Sequence, residues 1–374
     1  MKFSINRDLL FTELNHASKG LSTKTPMPIL TGIKLVASKS GLKIITSNMD
    51  ISIQIEIPIS DQLIIEETGD CVVPGKYFVD IIRKIDAKMV DFSIFEENTV
   101  KILADRSNFT LIVMDKNNFP NFQFVGTPNP IILTSQKLKQ IIKQTSFAAG
   151  ISETRIILTG VCLEINENSL KAVATDSYRL ARKELTMEHE AQSNQVVIPS
   201  RSLDELNKII DDTSENIEVH LLTNKVLFKY KNIYFLTRLI EGSFPDTSSL
   251  IPSEFLLEMV FNKNDLLATI DRVSLFATMD TTNIIKLSLN PNQTIELSST
   301  STEIGKAVEE IIPLSCTEIK QFQIAFSSKY FYDALKAFES DKIKVQFTGE
   351  IKPFIITGDK DPELTQLILP VRVS

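Results

Sequence analysis

The segment Pro28-Ile-Leu-Thr-Gly-Ile33 returns as Ile156-Ile-Leu-Thr-Gly-Val161, and the two copies stand 128 residues apart. Each copy follows a short apolar stretch and a helix-like stretch, and a third segment of the same shape begins at Met259. Repetition at a fixed period means that one structural unit is used several times. The repeat period therefore indicates a fold built from several copies of one domain.

A second family of segments interleaves with the first. Val72-Val-Pro-Gly-Lys76 recurs as Val197-Ile-Pro-Ser-Arg201 and then as Ile324-Ala-Phe-Ser-Ser-Lys329. Asn118-Phe-Pro-Asn121 recurs 125 residues later as Ser243-Phe-Pro-Asp246. The interleaved repeats predict three domains, at residues 1–127, 128–252 and 253–374. Prolines and short polar stretches at both boundaries fit linkers.

Both families begin with a short apolar strand, turn at a small or polar residue and continue into an amphipathic helix. Leu10 and Leu14 give one apolar helix face, and Phe78 and Ile82 give another. The run Ile51-Ser-Ile-Gln-Ile-Glu-Ile57 alternates as half-buried antiparallel strands do. We predict an α+β fold in which each domain doubles a β-α-β-β-β unit, with two helices against about eight antiparallel strands. Chance similarity between generic segments is the alternative.

Composition argues against several classes of function. Glycine is scarce, 12 of 374 residues, and neither Gly75-Lys76 nor Gly305-Lys306 has the glycine and hydroxyl residue that a P-loop needs around it. Three cysteines and three histidines, all widely spaced, favour neither a disulfide framework nor a metal cluster. No apolar run approaches the ~18 residues that span a bilayer. Arg7 and Asp8 stand where a signal peptide needs apolar residues, so a cytoplasmic location is expected.

The net charge of −7 argues against nucleic-acid binding only until the charges are placed along the chain. The repeats predict six helices, at residues 7–20, 76–84, 135–149, 201–211, 263–278 and 329–340. These helices carry fourteen basic and ten acidic side chains, a net charge of +4, which leaves −11 elsewhere. Solvated helix faces are the ordinary interpretation. A weakly basic surface within an acidic shell would also suit a protein that stays near DNA without gripping it.

Motifs spread over the whole chain resemble one known family. They are Met1-Lys-Phe3 with Pro26-Met-Pro-Ile-Leu30, Ala174-Thr-Asp-Ser-Tyr-Arg-Leu-Ala181, Glu241-Gly-Ser-Phe-Pro-Asp246 and Leu369-Pro-Val-Arg372. The chain resembles the bacterial DNA sliding clamp, the beta subunit of DNA polymerase III. The resemblance implies a DNA-clamp fold of three repeated domains, closed as a head-to-tail homodimeric ring with helices lining the hole and strands forming the outer wall.

The resemblance implies a non-catalytic processivity factor that encircles double-stranded DNA without sequence specificity. The implied partners are the DNA polymerase III alpha subunit, the clamp loader complex, and other polymerases and repair proteins that carry clamp-binding motifs. It implies no cofactor, no metal and no membrane. The positions expected near DNA are Lys24 and Ser152 at the channel rim and the helix residues Lys76, Arg83, Lys84, Lys137, Lys139, Lys143, Arg201 and Lys329.

The resemblance also implies a hydrophobic groove on the outer surface that binds short linear clamp-binding motifs. The matching positions are Leu158, Thr175, Ser177, Tyr178, Arg179, Leu180, Pro245, Ser249, Leu250, Leu367, Ile368, Leu369, Pro370, Val371 and Arg372. Leu158, Leu180, Leu250 and Leu369 are expected to form aliphatic walls that accept Leu or Phe anchors. Thr175 and Arg179 are expected to fix a peptide backbone or glutamine. For Leu158 and Leu180, packing as core strand residues is the alternative.

A dimer contact between domain one and domain three is implied in the same way. Phe109, Leu275 and Phe276 are expected at its apolar centre, and plain core packing is the alternative. An edge strand left open would be an aggregation hazard, which favours an interface at this place.

Two groupings could be drawn as enzyme sites. One is Asp176 with Tyr178 and Arg179. The other is the carboxylates Asp359, Asp361 and Glu363, although these are more simply a solvated loop. No nucleophile and base stand out by spacing, and no carboxylate set repeats in a metal-ligand pattern. A nucleotide-using enzyme and a monomeric scaffold that does not bind DNA therefore remain as the weaker alternatives.

Overall fold

A computed structural model of the chain describes residues 1–22, 25–96, 98–187, 191–277, 283–290, 294–319 and 321–372. The chain divides into two compact units. The first unit contains Met1–Leu138 and Ser202–Leu239, and the second contains Lys139–Arg201 and Ile240–Ser374. Each unit contains a sheet shared by two neighbouring repeats, so this division does not follow the repeats. The domain boundaries derived from the repeats remain predictions.

Six α-helices lie in the described ranges, and all six occur where the repeats predict them. They are α1 (Arg7–Ala17), α2 (Gly75–Lys84), α3 (Ser135–Thr145), α4 (Ser200–Asn207), α5 (Lys263–Ala277) and α6 (Ser328–Lys336). Helices α3, α4 and α6 end about four residues earlier than predicted. Tighter turns replace the helical pattern there, with the Lys208 N–H bonded to the Glu205 carbonyl and the Ala337 N–H bonded to the Ala334 carbonyl.

The strands follow the three repeats. The first repeat holds β1 (Lys2–Asn6), β2 (Gly32–Ser38), β3 (Gly41–Ser47), β4 (Ile51–Pro58), β5 (Leu63–Glu67), β6 (Gly69–Pro74), β7 (Met89–Phe95), β8 (Thr99–Ala104) and β9 (Ser107–Ile112). The second holds β10 (Ile131–Thr134), β11 (Gly160–Asn166), β12 (Ser169–Thr175), β13 (Arg179–Thr186), β14 (Asn194–Pro199), β15 (Asn216–Leu221), β16 (Lys225–Tyr230) and β17 (Ile233–Arg238). The third holds β18 (Leu257–Asn262), β19 (Ile284–Leu289), β20 (Ile295–Ser301), β21 (Gly305–Ile311), β22 (Ser315–Cys316), β23 (Phe322–Ser327), β24 (Lys342–Phe347), β25 (Phe354–Gly358) and β26 (Leu364–Ile368).

Each repeat is a doubled β-α-β-β-β unit, as predicted. In the first repeat β1-α1-β2-β3-β4 is followed by β6-α2-β7-β8-β9, and the other repeats have the same order. The short strands β5 and β22 are additions in the first and third repeats. Strand β4 confirms the predicted alternation, because Ile53, Ile55 and Ile57 are buried whereas Gln54 and Glu56 are partly exposed.

The strand pairs of the described ranges are antiparallel and form four sheets. The first unit contains the orders β5-β1-β7-β8-β9 and β10-β15-β16-β17-β4-β3-β2-β6. The second unit contains β14-β11-β12-β13-β26-β25-β24-β18-β22 and β21-β20-β19-β23. The large sheets join neighbouring repeats: we name the β4–β17 pair the first seam and the β13–β26 pair the second seam. Strands β9 and β21 hold the equivalent places in their repeats, and each lies at the edge of its sheet.

Aromatic side chains fill the space between the helices and the sheets. In the first unit the Phe92 ring stacks on Phe3 at 4.9 Å and meets Phe78 of α2 edge-on at 5.9 Å. In the second unit Phe326 packs against Phe331 of α6 at 4.8 Å. Such pairs add to the free energy gained from burial alone. The apolar helix faces predicted from spacing are thus the faces that the sheets cover.

Candidate functional site

A tight turn between β12 and β13 carries the most specific motif of the sequence. The Asp176 carboxylate accepts the backbone N–H groups of Tyr178 at 2.9 Å and Arg179 at 3.0 Å. Thr175 Oγ1 donates to the Arg179 carbonyl at 2.6 Å and accepts the Ser177 N–H at 3.1 Å. Side chain-to-backbone bonds of this kind stabilise turns in which one residue, here Ser177 with φ 77°, is left-handed. The turn leaves Tyr178 exposed on the surface.

The Arg179 side chain is buried and held from three directions. Its Nε bonds the Asp176 carboxylate at 3.1 Å, Nη1 bonds the Asp333 carboxylate at 2.9 Å, and Nη2 donates to the Phe147 carbonyl at 2.5 Å. The guanidinium carbon also lies 4.4 Å from the centroid of the Tyr330 ring. Charge-assisted bonds and a cation–π contact are both strong where water is excluded. Arg179 therefore ties the turn to helix α6 instead of projecting outward to fix a bound peptide.

Sequence reasoning missed the partners of Arg179. Tyr330 and Asp333 stand three residues apart on α6, which places them on one face of the helix. That spacing is the one sequence signal that could have grouped them. Nothing in the local sequence connects them to a turn about 150 residues earlier in the chain.

Apolar side chains around the turn form a buried set and an exposed set. Leu158 and Leu180 are buried in a cluster with Leu367. The core-strand alternative is confirmed for Leu180, whereas Leu158 lies on a 3-10 turn just before β11. Leu250 and Leu369 are 50% and 37% exposed. The exposed apolar side chains of this surface are Tyr178, Leu250, Leu369 and Val371. Clustered apolar exposure above a buried apolar layer is typical of a surface that binds another molecule.

The last described residues pass beside the turn. The Leu369 N–H donates to the Tyr178 carbonyl at 2.9 Å, and the Val371 N–H donates to the Ala325 carbonyl at 2.8 Å. These bonds hold the segment around Pro370 in place. Of the other positions predicted for the groove, Ile368 is buried, whereas the exposed ones are Ser177, Pro245, Ser249 and Arg372. We call the surface formed by these predicted positions, from Leu158 to Arg372, the groove.

A cavity of about 570 Å³ opens next to the groove. Leu250 belongs to its lining, together with Pro252, Phe255, Lys352 and Pro353. The volume lies within the range of about 300–1,000 Å³ found for ligand pockets. The sequence identifies the residues after Leu250 only as a linker, because a stretch rich in Pro and Ser has no periodic signal.

The basic residues predicted to lie near DNA occur on α2, α3, α4 and α6. The exposed ones are Lys76, Arg83, Lys84, Lys143, Arg201 and Lys329, and the half-buried ones are Lys137 and Lys139. Arg83 pairs with Asp80 at 2.5 Å, so part of its charge is compensated. The Ser152 hydroxyl accepts the Thr154 N–H at 3.4 Å and starts a short 3-10 turn. Lys24 lies outside the described residues.

The residues predicted for a dimer contact lie at two sheet edges. Phe109 is half-buried on β9, and Leu275 on α5 is 63% exposed, with Phe276 half-buried beside it. Helix α5 is tied to β21 by Arg272, which bonds the Glu309 carboxylate at 2.7 and 2.8 Å. That hydrogen bonding lowers the pKa of Glu309. For Leu275 the core-packing alternative is wrong, because its side chain faces solvent in the single chain.

The carboxylates drawn as a metal cluster do not act together. Asp361 is buried, and its carboxylate accepts the N–H groups of Glu339 and Ser340 and the amide of Gln144, each at 2.9 Å. The interpretation of this loop as solvated is therefore wrong for Asp361, which fixes the segment after α6. Within the described ranges, no group of three His, Cys, Asp or Glu side chains is arranged to hold a metal ion.

The cysteines are free thiols, as their number and spacing predict. Burial raises the pKa of Cys71 and of Cys162 to about 12, and it also raises the pKa of Cys316. A thiol is nucleophilic as the thiolate, so neither buried cysteine is reactive near neutral pH. Cys162 contributes to the apolar layer beneath the groove.

Three repeats of two helices on antiparallel sheets define a three-domain clamp fold. Models of the DNA polymerase III beta subunit match in chain order: the N-terminal domain at residues 1–123, the central domain at 132–246 and the C-terminal domain at 248–372. The chain belongs to the DNA polymerase III beta subunit family, the beta sliding clamps.

Individual relatives match over the full length. The beta sliding clamp of Staphylococcus epidermidis is 43% identical over 376 residues, covering 100% of this chain and 99% of that protein, and that of Staphylococcus aureus is 42% identical with the same coverage. The crystal structure of the DNA polymerase sliding clamp from Bacillus subtilis has a TM-score of 0.95, 40% identity and 100% coverage of both chains. The beta subunit from Streptococcus pyogenes has the same TM-score and coverage at 35% identity. No helix among the described residues is long and apolar enough to cross a membrane.

Proposed function

We propose that two copies of this chain close head to tail into a ring around double-stranded DNA. The observation that carries the proposal is the position of two edge strands, β9 and β21, within their repeats. In the seams, β4 and β13 end the first half of a repeat, and β17 and β26 end the second half of the next. Strand β21 is the third member of the first group, and β9 is the third member of the second group. A second copy would pair them in the same antiparallel manner.

The chemistry beside these edges supports the pairing. Leu275 and Phe276 on α5 and Phe109 on β9 supply exposed or half-exposed apolar groups beside these two edge strands. An unpaired edge with apolar neighbours is unfavourable in water. Pairing would cover both features at once. Head-to-tail contacts close a ring only if the rotation between copies closes, and two copies of a three-domain chain would give six similar segments.

Affinity for DNA need not come from base contacts in such a ring. The basic side chains of α2, α3, α4 and α6 are mostly exposed, while the chain as a whole carries −7. Contacts to phosphates carry no sequence information, and each adds salt dependence to binding. We infer that Lys76, Arg201 and Lys329 and their neighbours form a weakly basic lining that permits sliding. The acidic remainder would disfavour DNA on the outside.

We infer that the groove binds linear clamp-binding motifs of the DNA polymerase III alpha subunit, the clamp loader and repair proteins. The support is the exposed apolar set above a buried apolar layer, with Tyr178, Leu250 and Leu369 available as anchors. The guanidinium of Arg179, which is already bonded to Asp176 and Asp333, would fix the position of the groove wall. The chain would thereby tether the replicative polymerase in the bacterial cytoplasm, without catalysis or cofactor.

A topological experiment tests the ring. Labelled protein is loaded onto nicked circular DNA with a bacterial clamp loader and ATP, the complex is washed at high salt, and the circle is then cut. We expect retention through the wash and release after cutting, because a closed ring leaves only at a DNA end. Release by salt before cutting would show ordinary electrostatic binding and would contradict the proposal. A circle cut before loading is the control.

A further inference from the structure

A second pocket lies at the first seam, within the first unit. It has a volume of about 300 Å³, and its lining includes Met27, Met49, Phe122, Lys225 and Arg238. Strand β4 begins and strand β17 ends at its rim, as β13 begins and β26 ends at the groove. The pocket is thus at the place in its unit that the groove occupies in the other unit.

The backbone at this pocket repeats the backbone at the groove bond for bond. Asn48 Oδ1 accepts the N–H groups of Asp50 at 3.1 Å and Ile51 at 2.8 Å. Ser47 Oγ donates to the Ile51 carbonyl at 3.0 Å and accepts the Met49 N–H at 3.2 Å. Met49 has a φ of 82°, close to the 77° of the equivalent Ser177. The strand end is also repeated, because the Arg238 N–H donates to the Asp50 carbonyl at 3.2 Å.

The wall of this pocket is apolar and well supported. Phe122 contacts Phe119 edge-on with ring centroids 6.1 Å apart, and Met27 packs on the same cluster beside Leu30. Met49 is 37% exposed at the rim. Unbranched methionine side chains adapt to irregular partners, which suits a surface that receives another molecule.

The charges on the rim lack partners. Lys225 and Arg238 lie directly opposite each other on β16 and β17. Like charges in that position repel. Neither side chain forms an ion pair with any residue that the structure describes. Asp50 also lines the pocket and forms none, so the rim holds two cations and one carboxylate, each unpaired. A bound carboxylate between Lys225 and Arg238 would relieve their repulsion.

We propose that this first-seam pocket is a second docking site, which takes an extended peptide segment of a partner protein bearing carboxylates beside a bulky apolar side chain. The apolar side chain enters between Met27 and Phe122, and a carboxylate lies between Lys225 and Arg238. The choice of a peptide as occupant rests on the proposed function of the equivalent groove. The choice of acidic residues rests on the first-seam charges alone.

Methyl NMR of the full-length protein tests the inference. With Met, Ile, Leu and Val methyls labelled, Met27 and Met49 report on this pocket, whereas Leu369 and Val371 report on the groove. The probe is the capped pentapeptide acetyl-Glu-Phe-Glu-Leu-Glu-amide, and its control has Lys in place of Glu. We expect saturable shifts of the Met27 and Met49 methyls with the acidic peptide at up to millimolar concentration. The lysine peptide should leave them unchanged.

Variants separate charge from packing. Lys225→Ala with Arg238→Ala should weaken binding of the acidic probe about fivefold or more, and Lys225→Arg with Arg238→Lys should restore it. No shift at Met27 and Met49, equal binding of the lysine peptide, or an unaffected double variant would each overturn the inference. A polymerase clamp-motif peptide, titrated in parallel, reads the groove through Leu369 and Val371. Failure of the proposed function would therefore appear at those methyls and not at the methionines.

Discussion

The two seams share the same backbone geometry but differ in the chemistry of their side chains. In each seam, a turn held by side chain-to-backbone hydrogen bonds precedes a strand, β4 or β13. That strand pairs with the last strand of the following repeat, β17 or β26. Asp50 and Arg238 stand at the first seam where Tyr178 and Leu369 stand at the second. Strand pairing needs only main-chain groups, so it survives almost any change of side chain. The difference shows that equivalent positions of a repeated fold can carry different side chains and thus form different surfaces.

A second difference concerns stability. Ile51 is buried at the first seam, whereas its equivalent at the second seam is the buried, ion-paired Arg179. An aliphatic side chain contributes by leaving water. A buried guanidinium contributes only while its carboxylates stay in place, and its removal leaves them unpaired. The second seam is therefore the more specific of the two and the more sensitive to one substitution.

The largest effect is expected where a second copy would supply a third seam. Leu275→Ala with Phe276→Ala, or Phe109→Ala, removes apolar anchors at the open edges. Anchors of this kind are worth about 2 kcal/mol each, so the double variant should weaken each of the two contacts that close the ring roughly thousandfold. Light scattering at micromolar concentration should show monomer. Ile64→Ala, on the opposite edge of the β9 sheet, is the matched control. An unchanged mass for the double variant would refute the seam assignment.

The next largest effect is expected when the ion pairs of Arg179 at the second seam are removed. Arg179→Ala leaves Asp176 and Asp333 without their cation, and we expect a loss of about 3 kcal/mol in the free energy of unfolding. Arg182→Ala on the same strand should change it by less than about 0.5 kcal/mol, because its partner Glu184 is exposed. Denaturant titration followed by circular dichroism measures both. A loss below about 1 kcal/mol for Arg179→Ala would show that the ion pairs of Arg179 contribute little to the stability of the fold.

A smaller effect is expected when the C-terminal segment at the groove is removed. Deletion of residues 370–374 removes the Val371 bond to Ala325 and part of the exposed apolar surface. Binding of a clamp-motif peptide should weaken by at least about 2 kcal/mol, or about thirtyfold, while the dimer stays intact. Fluorescence anisotropy measures the peptide and light scattering the dimer. Peptide affinity equal to that of the full chain would rule out this part of the groove.

The smallest effect is expected in the pH dependence of stability, from a charged cluster beside β17 of the first seam. Hydrogen bonds from Lys231, beside β17, lower the pKa of Asp211 below 3.8 and of Glu215 below 4.5. Carboxylates with a lowered pKa stabilise the fold above their unfolded pKa and lose that contribution as the pH falls through the folded value. The pKa of Lys231 is raised by the same contacts, so its own contribution is lost only at alkaline pH.

Lys231→Met should therefore reduce the drop in melting temperature between pH 6 and pH 3, by about 1 °C for so exposed a cluster. Calorimetry at the two pH values measures the difference. Lys39→Met, at an exposed position of the same unit, is the control and should leave the drop unchanged. An equal drop in the wild type and in Lys231→Met would mean that the cluster adds no pH-dependent stability.

Much of the fold could be predicted because its signals are local. The alternation in β4 and the apolar spacing of Leu10 and Leu14 are set by residues within two turns of each other. The groove was predicted by position only, through resemblance. The sequence left Leu180 open between a groove wall and the core, and it could not separate the exposed Leu250 from the buried Leu180, because both are apolar residues in similar surroundings along the chain. The two edge strands were likewise predicted by position and found open only in the folded sheets.

The sequence by itself determined the period, the order of the elements and the faces of the helices, because these depend on the spacing of apolar side chains along one segment. Only the tertiary structure decided what the charged side chains do. Arg179 meets Asp333 across 154 residues, and Lys225 lies opposite Arg238 in a hairpin, where neither forms an ion pair with any residue that the structure describes. The physical reason is that a charge takes its role from its partners in space, and folding alone brings those partners together.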